Sequence, residues 1–293
     1  MLSSFGTITP DQLRERFPGL VIEGDKEQRR AAWLEAKRGK FGASSSSCLW
    51  TPSKTMAAKT PDDFAKCEAN NATVRKMIAQ KSAELDGAKT PEISASALRW
   101  GNDEEGPGMV DFIAKSGINV KHYGDDQVWF EWSKCDQIGA TPDGIVEGVI
   151  CGAVLNQIYH DLPGTDLQLI VEQWGDVVCR VPVEQKNPIT PAEHSRMIAQ
   201  MRTGADLAAV EFKYWVQVQQ QIMVLNAPFG IFFTRDKRRE SESAKLAWWI
   251  VPRNQSFIDA HSERLLRAVQ ERDDLFNAQA GREWVDLSNF IKQ

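Results

Sequence analysis

Two short runs constrain this chain more than any other: Thr141-Pro142-Asp143-Gly144-Ile145-Val146 and Val183-Glu184-Gln185-Lys186. The first reads as a turn feeding a strand. Pro142 fixes φ, and Asp143-Gly144 is a tight-turn pair. The second closes a β-branched run that starts at Val177. Side chains alternate along a strand, so Glu184 and Lys186 point the same way. Two neighbouring strands therefore bring Asp143, Glu184 and Lys186 around one small volume. Two carboxylates are hard oxygen donors suited to Mg²⁺, which takes one or two of them along with waters and phosphate oxygens. A lysine beside them can hold an attacking water or offset charge building on a phosphate. That is the chemistry of metal-assisted phosphodiester hydrolysis.

Each run alone has an ordinary structural reading. Thr-Pro-Asp also occurs at Thr9-Pro10-Asp11 and Thr60-Pro61-Asp62, where it reads as a capped helix start. Glu-x-Lys is common on exposed strands. Only the third Thr-Pro-Asp precedes Gly and an apolar strand, followed later by Glu-x-Lys on another strand. That ordered combination carries the information.

Composition sets outer bounds. The 293 residues, 42% of them hydrophobic, suffice to bury a sizeable core. A formal net charge of −5 argues against a general polyanion-binding surface, so any nucleic-acid contact must come from a local basic face. The five cysteines, Cys48, Cys67, Cys135, Cys151 and Cys179, form no Cys-x-x-Cys. That spacing disfavours a disulfide framework, a zinc site and an iron–sulfur cluster, and points to thiols in a reducing cytoplasm. Met1-Leu2-Ser3-Ser4-Phe5-Gly6 carries neither a basic nor an apolar leader region, so no signal peptide is expected. No apolar run reaches membrane-spanning length, and no membrane contact is expected.

The rest of the chain reads as one α/β domain with helical additions. Helices are expected from Thr9, from Asp25, over 60–86 and after Thr190, with a long one over Phe212 to Leu225. The acidic run Asp103-Glu104-Glu105 is read as preceding a helix that carries Met109, Val110, Phe112 and Ile113. Strands are expected at Val128–Trp132, Ile145–Ile150, Phe229–Thr234 and Leu246–Val251. Leu167–Trp174 and Val177–Val183 flank Gly175-Asp176 and read as a hairpin. Two segments carry open alternatives. Lys37-Arg38-Gly39-Lys40-Phe41-Gly42-Ala43 followed by Ser44-Ser45-Ser46-Ser47 is either a flexible linker, which the local sequence slightly favours, or an anion-binding elbow. The glutamines on the 212–225 helix read as a solvated face, and Arg235–Glu240 as a solvated turn or a polyanion patch.

Several landmarks occur in a fixed order: basic-Gly-…-Ala-Ser, Trp-Gly-x-x-x-Glu, Pro-Asp-Gly, Glu-x-Lys with a proline close behind, then Tyr-x-x-Gln-x-Gln. Together they resemble the phage lambda exonuclease and YqaJ-like viral recombinase family of the PD-(D/E)xK nuclease superfamily, from about Trp33 to the 246–251 strand. The resemblance implies a restriction-endonuclease-like α/β core, with a central mixed β-sheet flanked by helices and a hairpin insertion. On this reading the chain is a single domain over 1–293, with an N-terminal helical extension (1–32), the insertion (148–176) and a C-terminal helical segment (252–293).

Carried over residue by residue, the resemblance makes Asp143, Glu184 and the Gln185 backbone carbonyl the metal ligands. It makes Lys186 the catalytic lysine, Glu105 the upstream glutamate, and Gln217 the helix glutamine facing the site. Ser44, with Thr141 in place of serine, joins the 5′-phosphate-binding group, whose usual arginine falls on Lys37 with Arg38 beside it. Asn187 and Gly42 depart from the family's cysteine and threonine. The resemblance further implies Mg²⁺, with Mn²⁺ as a substitute, and 5′-to-3′ digestion of one strand at double-stranded DNA ends. The 3′ tail would serve a single-strand annealing protein in phage-type recombination. A homotrimer, and a phage or prophage origin with action in the bacterial cytoplasm, are implied as well.

Overall fold

The computed structural model describes residues 26–50, 72–88, 96–121, 124, 127–150, 173–174 and 178–280. The helices expected from Thr9 and over 60–71, and nearly all of the 148–176 insertion, lie outside these residues.

Helix α1 (Lys26–Ala36) leads through Gly39 into the short strand β1 (Phe41–Gly42). Gly39 has φ of 68°, a left-handed value that glycine adopts without strain, and so reverses the chain after the helix. Glu84, on helix α2 (Ala72–Leu85), accepts the Gly39 N–H at 3.1 Å. The buried Arg272 donates to the Gly39 carbonyl at 2.7 Å. The serine run is not a linker. Ser46 is buried and opens a 3-10 turn (Ser46–Trp50), its hydroxyl bonded to the Ala43 carbonyl at 2.9 Å. Trp50 and Leu49 behind it supply the buried apolar surface that orders the segment.

Helix α3 (Ser96–Ser116) runs straight through the glycine- and acid-rich stretch, with Pro107 inside it. The acidic residues therefore lie within the helix, not before it. Met109 and Phe112, both fully buried, anchor α3 on the sheet, and this tertiary packing overrides a sequence unfavourable to helix.

Two sheets follow. The small one orders β1, β3 (Cys135–Ala140) and β2 (Phe130–Trp132), with β1 parallel and β2 antiparallel to β3. The large one orders β4 (Gly144–Ile150), β5 (Val178–Lys186), β6 (Phe229–Arg235) and β7 (Leu246–Pro252). Only the β5–β6 pair in it is parallel, so the sheet is mixed. Within the expected insertion, β4 continues through Ile150, while Gln173 and Trp174 are helical rather than part of a strand.

Between β5 and β6 come α4 (Pro191–Gln200), α5 (Leu207–Val210) and α6 (Phe212–Leu225); α7 (Glu242–Lys245) precedes β7, and α8 (Gln255–Ala280) follows it. Thr190 caps α4, its side chain accepting the Glu193 N–H. The large sheet separates two apolar cores. One gathers Met109, Phe112, Val183, Ile231 and Phe233 on the α3 side. The other gathers Phe232, Trp215, Val218, Ile222 and Phe257 on the α6 and α8 side.

The glutamines of α6 are buried, not solvated. Gln219 bonds the Pro252 carbonyl and the Asn254 N–H. Gln220 donates to the carbonyls of Phe41 (3.1 Å) and Gly139 (2.8 Å), one on β1 and one on β3. Its own amide oxygen meets His261 Nε2 at 3.0 Å, while His261 Nδ1 accepts the Trp50 indole N–H at 2.7 Å. Both contacts fit only a neutral imidazole with its proton on Nε2. Burial, helped by Arg264, lowers the His261 pKa from 6.5 to about 3. The unfolded chain therefore takes up a proton that the folded one refuses as pH falls through that window. Stability is expected to decline below about pH 6.5, by up to roughly 1.4 kcal/mol per pH unit from this group. Urea unfolding at pH 7 and pH 5, for wild type and His261→Gln, checks this: the variant should lose that part of the slope.

Candidate active site

The antiparallel register that pairs Gly144 with Val183 sets Asp143 and Glu184 side by side at the adjoining ends of β4 and β5. Gly144 is needed there for space: a Cβ would sit 2.5 Å from Val120 and 3.1 Å from Met109. It does not adopt the left-handed backbone that a glycine-dependent turn would require. The main-chain N–H of Gln185 donates to Asp143 Oδ2 at 2.8 Å, locking the two strand ends together.

Glu184 is completely buried. One carboxylate oxygen accepts from the Lys186 amine and from Gln217 Nε2 (2.6 Å), the other from Gln221 Nε2 (2.5 Å). Gln217 and Gln221 stand one turn apart on α6, so a single helix face grips both oxygens. Gln221 was not among the expected site residues. Its spacing of four from Gln217 was the available signal, but polar residues on a helix face look alike whether buried or solvated. The Lys186 amine also lies 5.2 Å from the centre of the Tyr214 ring.

Burial, then the adjacent Glu184 charge, pushes the Asp143 carboxyl well above the usual range; Glu105 adds to this, while Lys186 and the Gln185 N–H oppose it. For Lys186, burial favours the neutral amine, but Glu184 and Asp143 outweigh it and hold the ammonium more firmly than usual. Glu105 sits on α3 and accepts from Gln127 Nε2 at 2.6 Å. Its neighbour Glu104 faces elsewhere, paired with Arg235 at 2.7 Å and Lys237 at 2.5 Å. The expected solvated turn after β6 is thus anchored: Arg235 and Asp236 are buried, and Arg235 also pairs with Asp111.

The expected phosphate-binding residues divide. The Lys37 amine lies 3.1 Å from the centre of the Trp33 ring, and the Trp33 indole donates to Thr141 Oγ1 at 3.0 Å. Lys37 and Thr141 are thereby joined through one indole, next to the segment that carries Asp143. Burial, then repulsion from Lys81 and Arg30, lowers the Lys37 pKa to about 8. Arg38 pairs with Glu35 at the surface. Ser44 is exposed on the turn that follows β1.

Among the described residues, no group of three or more His, Cys, Asp or Glu side chains forms a ready-made metal cage. Asp143, Glu184 and the Gln185 carbonyl form a smaller set of two carboxylates and a carbonyl. These are the hard oxygen donors Mg²⁺ accepts, and Mg²⁺ is seldom held by an all-protein cage. The mutual repulsion that raises Asp143 is relieved by a cation, so the residues present fit a divalent metal.

No family model matches the sequence, and no curated protein does. Solved structures do match. LHK-Exo in complex with dAMP superposes with a TM-score of 0.59 at 17% identity, covering 85% of this chain and 95% of that one. LHK-Exo is an alkaline exonuclease from Laribacter hongkongensis, and a second structure of it gives a TM-score of 0.58 at 16% identity, over 85% and 96% of the two chains. A phage-related exonuclease from Haemophilus somnus gives 0.52 at 13% identity, over 82% and 96%. The chain has the fold of these exonucleases. The α/β core expected from the ordered motifs is therefore present, and it carries Asp143, Glu184 and Lys186 together on adjoining strand ends.

Proposed function

We propose that this protein is a metal-dependent deoxyribonuclease that degrades one strand of linear duplex DNA from its 5′ end. The observation that carries the reading is the Asp143–Glu184 pair beside a firmly charged Lys186, on a fold shared with exonucleases. Asp143, Glu184 and the Gln185 carbonyl would hold Mg²⁺, or Mn²⁺ in its place. Bound there, the metal would supply Lewis-acid stabilisation of charge on the scissile phosphate.

The chain's own groups do the rest. Lys186 Nζ has three N–H donors and spends one on Glu184, leaving others to orient a water or meet a phosphate oxygen. The water oxygen forms the new P–O bond and gives up a proton to solvent as the bond to the leaving sugar oxygen breaks, and that oxygen takes up a proton from solvent to leave as a hydroxyl. Gln217 and Gln221 keep the Glu184 oxygens fixed throughout, so Gln217 orients a carboxylate and does not exchange protons. Glu105 adds negative charge beside Asp143. The 3′ single strand left behind suits a phage-type recombination pathway with a single-strand annealing partner. We place the protein in the bacterial cytoplasm, encoded by a phage or prophage and working as a homotrimer on DNA ends.

Linear duplex labelled at the 5′ or 3′ end, alongside closed circular duplex, tests this reading. With Mg²⁺ the linear DNA should be consumed from its 5′ ends and the circle left intact; chelator should stop digestion of the linear DNA. Cutting of the circle would make the enzyme an endonuclease. End recognition is read in the same assay. A 5′-phosphate offers charge that Lys37 can bind with Thr141 and Ser44, so phosphorylated ends should be cut faster than hydroxyl ends. Lys37→Ala should abolish the preference and Arg38→Ala should leave it. Because Lys37 loses its charge as pH rises through about 8, the preference in kcat/KM should fade between pH 7 and pH 9.

A further inference from the structure

Gln185 contributes more than its main chain. Its side chain leaves β5 on the face opposite Glu184 and Lys186, is buried, and enters α3. There its amide nitrogen donates to the Glu104 carbonyl at 3.1 Å and to Asn187 Oδ1 at 3.0 Å. Two acceptors facing one end of the amide fix its orientation. The contact depends on Gly108: a Cβ at that position would stand 1.9 Å from Gln185 Nε2 and 2.8 Å from its amide carbon. Pro107, just before it, supplies no N–H to the helix, so this part of α3 is held by contacts from outside as well as by its own ladder. The helix segment so held carries Glu104 and Glu105. The same residue whose N–H fixes Asp143 thus also fixes the backbone next to Glu105.

We infer that the Gln185 side chain, seated in the Gly108 notch, is a positioning residue that sets Glu105 and α3 against the Asp143–Glu184 pair. Asn187 is part of the device, since it shares the Gln185 amide. The inference rests on the nuclease reading for its catalytic consequence and on geometry alone for its effect on metal binding.

A double-mutant cycle on the full chain tests it, with Gly108→Ala, Gln185→Ala and the two combined. Three quantities are read: Mn²⁺ affinity by electron paramagnetic resonance, single-turnover rate on linear duplex, and thermal midpoint. Gly108→Ala should weaken Mn²⁺ binding and slow turnover by about tenfold, the usual scale for residues that orient ligands from outside. Gln185→Ala should weaken both less, because the side chain leaves without forcing the helix away. The combined variant should be no worse than Gln185→Ala alone, because the methyl then fills the vacated space and only the flexible Arg235 side chain, with Cδ 3.2 Å away, has to give. If Gly108→Ala folds poorly, the combined variant should regain the thermal midpoint of Gln185→Ala. Additive losses, or a folded Gly108→Ala with wild-type Mn²⁺ affinity and rate, would overturn the inference. Should the wild type not cut DNA while the Mn²⁺ cycle remains coupled, the nuclease reading falls and the positioning role stands.

Discussion

Asp143→Asn is expected to lower the rate of DNA hydrolysis by about a thousandfold or more, equivalent to several kcal/mol of lost charge stabilisation at the scissile phosphate. The substitution is nearly isosteric, and its amide oxygen can still accept the Gln185 N–H that ties β4 to β5. The fold should therefore survive. In the absence of metal the variant should even unfold at a higher temperature than wild type. Burial and the neighbouring Glu184 make the charged form of Asp143 unfavourable in the folded protein, and a neutral amide removes that repulsion. The sign follows directly: a carboxyl pushed above its ordinary pKa withdraws stability once the pH is high enough to ionise it. Wild type should recover the difference when Mg²⁺ is added, and Asp143→Asn should not. Thermal unfolding with and without Mg²⁺, beside single-turnover hydrolysis, checks both halves. Near wild-type turnover in the folded variant would remove Asp143 from the site.

Glu184→Ala should lose activity as completely, and for this residue the fold should suffer too. Its carboxylate receives Lys186, Gln217 and Gln221 in a fully buried place. Truncation leaves two amide groups and an ammonium without their acceptor. Breaking a buried ion pair by removing one partner costs about 3–5 kcal/mol. Urea unfolding should show a loss of that order, with little rescue by Mg²⁺ because one of the two proposed metal carboxylates has gone. The two acidic residues, alike on the page as candidate ligands, thus separate: one removable without harm to the fold, the other bound into it. A Glu184→Ala protein as stable as wild type would mean that the α6 glutamines find other partners.

How far the sequence reveals this arrangement depends on the range of the forces involved. The α6 helix, strands β5 to β7 and the Thr190 cap were readable because each is written in a local period or a capping residue. Asp143, Glu184 and Lys186 were readable because alternation along a strand and one turn suffice to bring them together. Other features were not. Strand β3 escaped notice because Asp136, Gln137 and Gly139 dilute any strand signal, and its partner Phe41 is distant in sequence. The start of α3 was misplaced: the acidic run looked like the approach to a helix, since nothing local announces that Gly108 receives Gln185 and that the helix begins at Ser96. The serines looked like a linker because burial of Ser46 and Trp50 depends on α6 and α8 closing over them. The different surroundings of Lys37 and Arg38 were not legible, because they depend on the Trp33 ring beside Lys37 and on Glu35 beside Arg38.

The glutamines of α6 have one more consequence. Gln217 and Gln221 hold the acidic centre of the large sheet, and Gln220 holds two carbonyls of the small one. A helix gripped from two sheets cannot melt for one and stay folded for the other. Local opening in this part of the molecule is therefore shared: the backbone amides of β1, β3, α6 and β5 should exchange with solvent in one common event, not strand by strand. Among the described residues, the strand that carries Glu184 is therefore expected to open together with the small sheet, not to stay intact while that sheet lets go.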